Sequence, residues 1–154
     1  LADTGLHAMT GARVKRVEKY IDDDYFLLTY GDGVTDLNLN DLVSFHQSRE
    51  KIGTVTGVSP PSRYGDLGIV EDRVVSFQEK PETQESLISG GYFMFHRKFF
   101  DYLSPDDSCV LEREPLERLV EDGQLSVYAH KGFWQCMDTH RDTRTPMAAI
   151  LRRP

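Results

Sequence analysis

The sequence has 154 residues, with 18 Lys and Arg against 25 Asp and Glu and a formal net charge of −7. That length suits one domain with room for an apolar core, and the acidic balance excludes the basic footprint a nucleic-acid backbone demands, so no nucleic acid is expected as a partner. Cys109 and Cys136 lack disulfide-framework or metal spacing, and no apolar run approaches the ~18 residues of a membrane span; the expectation is a cytoplasmic chain with no membrane partner.

The chain opens on Leu1 rather than Met, and Leu1-Ala2-Asp3-Thr4-Gly5 reads as the interior of something longer, so a fragment is expected. Val14, Val17 and Ile21 share one face of a helix predicted over 12–21 and ended by Asp22-Asp23-Asp24. The continuous run Tyr25-Phe26-Leu27-Leu28-Thr29-Tyr30 predicts a strand buried on both faces, closed by Gly31-Asp32-Gly33. Leu39, Leu42, Val43 and His46 fall at helical offsets within 38–50, with Asn38 or Asn40 as N-cap. Residues 52–59 alternate as a strand up to Pro60-Pro61. A tight hairpin over 68–77 leads into Gln78-Glu79-Lys80-Pro81. The next strand, 88–96, contains Gly90-Gly91, a pair that suggests close backbone approach to a ligand. Helices follow near 98–103 and over 114–121, the second stopped by Gly123. A last strand, 125–130, feeds Gly132-Phe133-Trp134, and the tail 139–153 is expected to be helical with an interruption near Pro146. Strands alternating with helices give a mixed α/β layer architecture without internal repeats.

Two aspartates stand where such sheets place ligand-binding groups: Asp32 and Asp138 each close a β-rich run among small or aromatic residues. Asp-Gly after a strand is commonly only a turn, and for Asp32 alone the turn is the better reading. Two such carboxylates meeting in space would suit Mg²⁺, which takes oxygen ligands and is usually held by one or two carboxylates plus substrate phosphates. The other candidates carry plainer readings beside the functional ones. Glu79-Lys80 suits an exposed ion pair of small worth, Gly90-Gly91 a bulge, Arg63 and Tyr64 the rim of a loop, and Trp134 packing. The five histidines share no ligand spacing and are assigned to the surface or to satisfied core positions.

Six segments in order carry a resemblance: 9–17 (Met-Thr-Gly-Ala-Arg-Val-Lys-Arg-Val), 29–34 (Thr-Tyr-Gly-Asp-Gly-Val), 61–65 (Pro-Ser-Arg-Tyr-Gly), 77–81 (Phe-Gln-Glu-Lys-Pro), 89–93 (Ser-Gly-Gly-Tyr-Phe) and 132–139 (Gly-Phe-Trp-Gln-Cys-Met-Asp-Thr). From Asp3 to about Asp142 the chain resembles the sugar-1-phosphate nucleotidylyltransferases, and the runs at 30–34 and 133–139 resemble their cytidylyl branch. The resemblance implies a Rossmann-like nucleotidyltransferase fold, a mixed and mostly parallel sheet flanked by helices with its N-terminal strands absent. Residues 1–154 would then be a partial domain, the metal and sugar-phosphate half. It implies an enzyme that transfers a cytidylyl group from CTP to α-D-glucose 1-phosphate, giving CDP-glucose and pyrophosphate, with Mg²⁺ as cofactor and a homo-oligomeric assembly.

By the same resemblance Asp32 and Asp138 hold the metal and, with Lys80, form the catalytic set. Lys80 grips the sugar phosphate, Glu79 bonds sugar hydroxyls, the Gly91 backbone lies against the sugar, and Gly11 belongs to a loop near the nucleotide. Arg13, Gly31 and Tyr64 complete the substrate-binding set. The chain departs from the family in lacking a Gly-Gly-x-Gly-Thr-Arg-type loop and nearby lysine, the backbone amides and cation that triphosphate binding requires. The expectation is therefore the C-terminal portion of such an enzyme, inactive by itself. The alternative is a non-catalytic module of this fold that binds a sugar phosphate or forms an interface. A Mg²⁺-dependent phosphatase is disfavoured, because no Asp-x-Asp nucleophile pair is present.

Overall fold

The computed structural model describes residues 1–59, 66–78 and 87–137, with 66–68 and 77–78 described by backbone alone. Arg63, Tyr64, Glu79, Lys80, Asp138 and the expected tail helix lie outside the described residues. The chain divides into two units, Leu1–Tyr30 with Asn38–Thr56 and Gly91–Tyr128, and Gly31–Leu37 with Gly57–Gly90 and Ala129–Pro154. In chain order the elements are α1 (Thr10–Arg16), a 3-10 turn (Glu18–Tyr20), β1 (Tyr25–Thr29), β2 (Gly33–Thr35), α2 (Leu39–Arg49), β3 (Gly53–Val58), β4 (Asp66–Val70) and β5 (Arg73–Gln78). They continue with β6 (Ile88–His96), a 3-10 helix (Arg97–Tyr102), α3 (Glu114–Glu121), β7 (Leu125–His130) and β8 (Trp134–Cys136).

Most of a four-stranded sheet, in the order β1-β6-β3-β7, lies in the first unit. β1 and β6 are antiparallel, with Tyr25 opposite His96 and Thr29 opposite Tyr92. The His96 amide donates to the Ile52 carbonyl at 2.8 Å and the Gly53 amide to the Gln124 carbonyl at 2.9 Å. The end of β6 thus meets the start of β3, while β3 and β7 start side by side. β1, β3 and β7 share one direction and β6 alone runs against them, which makes the sheet mixed.

Spacing puts Phe93 and Phe95 on one face of β6, and the turn at Arg97–Tyr102 brings Phe99 and Phe100 back onto that face. Phe95 and Phe99 stack with centroids 3.8 Å apart, and Leu103, Leu111 and Leu119 complete the fully covered cluster. Each of these side chains contributes about 1.5–3 kcal/mol by burial. Leu119 sits on the apolar stripe of α3, which starts with Pro115 in its first turn and ends before Gly123 in the left-handed conformation (φ 64°). α2 is capped by the Asn38 side chain, which accepts the Asn40 amide at 3.0 Å.

Three expectations are corrected. The helix predicted over 12–21 stops at Arg16, because the Val17 amide bonds the Val14 carbonyl at 3.2 Å, a 3-10 spacing that tightens the last turn. β1 is not buried on both faces: Phe26 stacks on Phe100 at 4.9 Å and Leu28 packs on the core, whereas Leu27 is 46% exposed. It sits at the sheet's edge, and among the described residues only one of its faces is covered. β3 does not alternate; all its residues but Val55 are buried, as an inner strand between β6 and β7 requires.

In the second unit β2 and β8 pair antiparallel, Gly33 with Cys136, Val34 with Gln135 and Thr35 with Trp134. β4 and β5 form the expected tight hairpin, turning at Glu71 (φ 56°) with an irregularity between Gly68 and Ile69. Ile69, Val70, Val74 and Val75 are exposed along it.

Candidate functional site

The turn Gly31-Asp32 precedes β2 and leaves both residues exposed. β2 has only three residues, and its ladder with β8 is extended one step by the Met137 amide, which donates to the Asp32 carbonyl at 2.8 Å. The two motifs, more than a hundred positions apart in the sequence, therefore meet at Asp32 and Met137, the residue before Asp138. The Asp32 carboxylate offers the hard oxygen donors that Mg²⁺ takes. Among the described residues no three His, Cys, Asp or Glu side chains cluster around a common point suited to a metal. The partner carboxylate expected at Asp138 falls outside the described residues. At Gly31 an added Cβ would meet nothing within 4 Å, so its surface is open.

The remaining described candidates make contacts within the chain. Gly91 has φ 74°, a conformation glycine adopts freely, and an added Cβ would lie 2.6 Å from Cδ2 of Tyr30. The close approach expected at this residue is thus made by the Tyr30 ring, whose hydroxyl donates to Glu112 Oε1. Thr10 donates to the other Glu112 oxygen at 2.9 Å and accepts the Leu111 amide at 2.9 Å. Gly11 is in α1 and not in a loop; its missing side chain admits Cys109, whose Sγ would stand 2.6 Å from a Cβ. Arg13 is exposed, and its guanidinium donates to Thr4 Oγ1 at 2.9 Å and to the Leu6 carbonyl at 3.3 Å.

Two of the histidines assigned to surface or satisfied core positions are more informative. His46 is 1% exposed. Its Nδ1 meets Thr54 Oγ1 at 2.8 Å, Thr54 meets Ser126 Oγ at 3.0 Å, and Ser126 donates to the Gly53 carbonyl at 3.3 Å. Because a carbonyl only accepts, this chain sets the protons: Ser126 to Gly53, Thr54 to Ser126, His46 Nδ1 to Thr54. Nε2 is left buried without a partner in the structure. Burial, with His96 as a second cause, holds the pKa of His46 below its usual 6.5. His130 instead pairs with Asp36 in the second unit, at 2.9 Å. No sequence spacing announces that pair, because Asp36 follows β2 and His130 ends β7.

The family model described as nucleotidyl transferase matches residues 9–151. The glucose-1-phosphate cytidylyltransferase of Salmonella typhi is 46% identical over 143 residues, which are 92% of this chain and 55% of that protein. The glucose-1-phosphate adenylyltransferase of Thermotoga maritima is 30% identical over 134 residues, 78% of this chain and 32% of that protein. Among solved structures, HddC from Yersinia pseudotuberculosis matches with a TM-score of 0.67 at 23% identity, covering 92% of this chain and 62% of that one, a likeness of fold alone. The chain spans about half the length of the cytidylyltransferases it matches.

Proposed function

We propose that this chain, which belongs to the nucleotidyl transferase family, supplies the metal-holding and sugar-phosphate-binding part of an enzyme that transfers a cytidylyl group from CTP to α-D-glucose 1-phosphate. The products are CDP-glucose and pyrophosphate. The observation that carries this reading is the bond from the Met137 amide to the Asp32 carbonyl, since it joins the two motifs expected to hold the cation. The 46% identity to a glucose-1-phosphate cytidylyltransferase favours CTP and glucose 1-phosphate among nucleotides and sugars.

Phosphoryl transfer asks a protein mainly for positioning and charge neutralisation. In this reading Asp32 and Asp138 hold Mg²⁺. The bound cation supplies neutralisation of the negative charge on phosphates that must approach one another. Lys80 donates to the sugar phosphate, and Glu79 accepts from sugar hydroxyls. Gly31 leaves the approach to Asp32 open, and Tyr64 belongs to the substrate-binding set. Gly91 acts through Tyr30, by letting its ring pack against the strand. Gly11 and Arg13 stay in the substrate-binding set of this reading, Gly11 from within α1. The enzyme is cytoplasmic and homo-oligomeric in this reading; no helix among the described residues is long and apolar enough to cross a membrane.

The test is pyrophosphate release from nucleoside triphosphates and glucose 1-phosphate with Mg²⁺, using the product of the complete reading frame that encodes this chain. Release with CTP and appearance of CDP-glucose are expected. A folded product that releases no pyrophosphate with any triphosphate overturns the activity, and release confined to another triphosphate overturns the base assignment. The 154 residues alone are expected to make no CDP-glucose.

A further inference from the structure

The most heavily bonded side chains described in the second unit are Thr35 and His130, and neither these two nor Asp36, the partner of His130, has a role so far. His130 Nε2 lies 2.9 Å from Asp36 Oδ1, 3.2 Å from Thr35 Oγ1 and 3.3 Å from the Phe133 carbonyl. The His130 and Asp36 side chains are largely covered, at 11% and 19% exposed. The protons around them are accounted for by what each group can do. The Phe133 carbonyl only accepts, and it receives the Thr35 hydroxyl at 2.8 Å and the Asp36 amide at 3.1 Å. Thr35 Oγ1 in turn accepts the Leu37 amide at 3.2 Å. An ionised carboxylate also only accepts, so His130 carries its proton on Nε2 and donates it to Asp36. The fit leaves no room beside it: a Cβ on Gly132 would stand 2.3 Å from Asp36 Oδ1 and 2.7 Å from His130 Cε1.

This cluster closes one end of the β2–β8 ladder, where Thr35 faces Trp134. The opposite end, where Gly33 faces Cys136, runs on to Asp32 and Met137. A two-stranded ladder of three residues a side does not hold itself together, and a slip by one residue would turn every side chain to the other face. Something must pin the register from outside the ladder. We propose that Asp36 and His130 are a positioning pair that fixes the β2–β8 register and thereby holds Asp32 opposite Met137, the residue before Asp138 in the sequence, for a divalent cation. Gly132 serves the same end by leaving space for the Asp36 carboxylate. This inference rests on the metal reading of Asp32 given above.

The experiment measures Mn²⁺ affinity of this chain by calorimetry and follows emission from Trp134, the single tryptophan of the sequence, whose indole N–H donates to the Gly90 carbonyl at 2.8 Å. His130→Ala and Gly132→Ala are expected to weaken cation binding by about tenfold or more, the usual cost of losing a group that orients a ligand, and to shift Trp134 emission. His130→Gln, whose amide keeps an N–H for Asp36, should recover most of the affinity and native emission, a rescue that general loosening would not give. Asp32→Asn is the reference. If it abolishes binding while His130→Ala stays within about twofold of native, the positioning pair is overturned and the metal reading stands. If Asp32→Asn leaves binding unchanged, the metal reading falls and takes this inference with it.

Discussion

In the first unit Phe95 and Phe99 stack 3.8 Å apart and Phe93, Phe100, Leu111 and Leu119 close around them, whereas in the second unit Thr35, Asp36, His130 and Trp134 are tied by hydrogen bonds. Among the described residues of that second unit, Leu37 and Val58 are the buried apolar side chains. Apolar burial is non-directional and scales with area, so it stabilises without fixing any one atom to a fraction of an ångström. Hydrogen bonds add little net stability each but fix direction and distance. Damage should therefore show in the first unit as lost stability and in the second as lost geometry at Asp32.

Phe95→Ala puts the largest strain on this contrast. It should lower the unfolding free energy by about 3–5 kcal/mol, read by denaturant titration of the chain, and a loss below about 1 kcal/mol would break the claim that the aromatic cluster carries the first unit. Asp32→Asn is its counterpart. Turnover of the complete enzyme should fall by about 100-fold or more, as loss of a metal ligand worth several kcal/mol implies, while unfolding of the chain changes by no more than about 0.5 kcal/mol because the side chain is exposed. Gly91→Ala probes the first unit at its backbone. The left-handed backbone alone costs about 1–2 kcal/mol there, and the new methyl drives into the Tyr30 ring, so both stability and the tyrosine's near-ultraviolet dichroism should change.

The smallest effect is a dependence on pH. His46 binds protons less readily in the folded chain than in the unfolded one, so the unfolded state takes up the proton first as pH falls. Its contribution to stability is full above its ordinary pKa of 6.5 and declines as pH drops toward the lower folded value. Replacing His46 with Gln should flatten that part of the stability profile. An unchanged slope would show that the imidazole is not held neutral by burial.

The elements most legible in the sequence were those with a local signal. The helix at Glu114–Glu121 with its stop at Gly123, the strand at Leu125–His130 and the hairpin through Glu71 all follow from periodicity and turn residues within a few positions. What was not legible depends on partners far along the chain. Nothing near Gly11, expected in a loop, announces Cys109, and nothing near Gly91, expected in a strand, announces the Tyr30 ring, so the close packing at both glycines was hidden. The apolar run of β1 and the alternation of β3 misled in opposite directions, because burial of a strand is set by its place in the sheet and not by its own composition. The candidate site was legible as a pair of motifs; its register, and the pair Asp36 and His130 that fixes it, was not.

The edge position of β1 leaves a mark that hydrogen exchange would read directly. Tyr30 donates its amide to the Gly91 carbonyl at 3.0 Å, and in an antiparallel pair every second residue of β1 turns the same way. The amides of Phe26, Leu28 and Tyr30 therefore face β6, while those of Leu27 and Thr29 face away from it. Deuterium should enter β1 in an alternating pattern, slow at the first set and fast at the second, while the inner strand β3 exchanges slowly throughout. If a longer polypeptide lays another strand along that edge, protection should spread to Leu27 and Thr29 and the alternation should vanish.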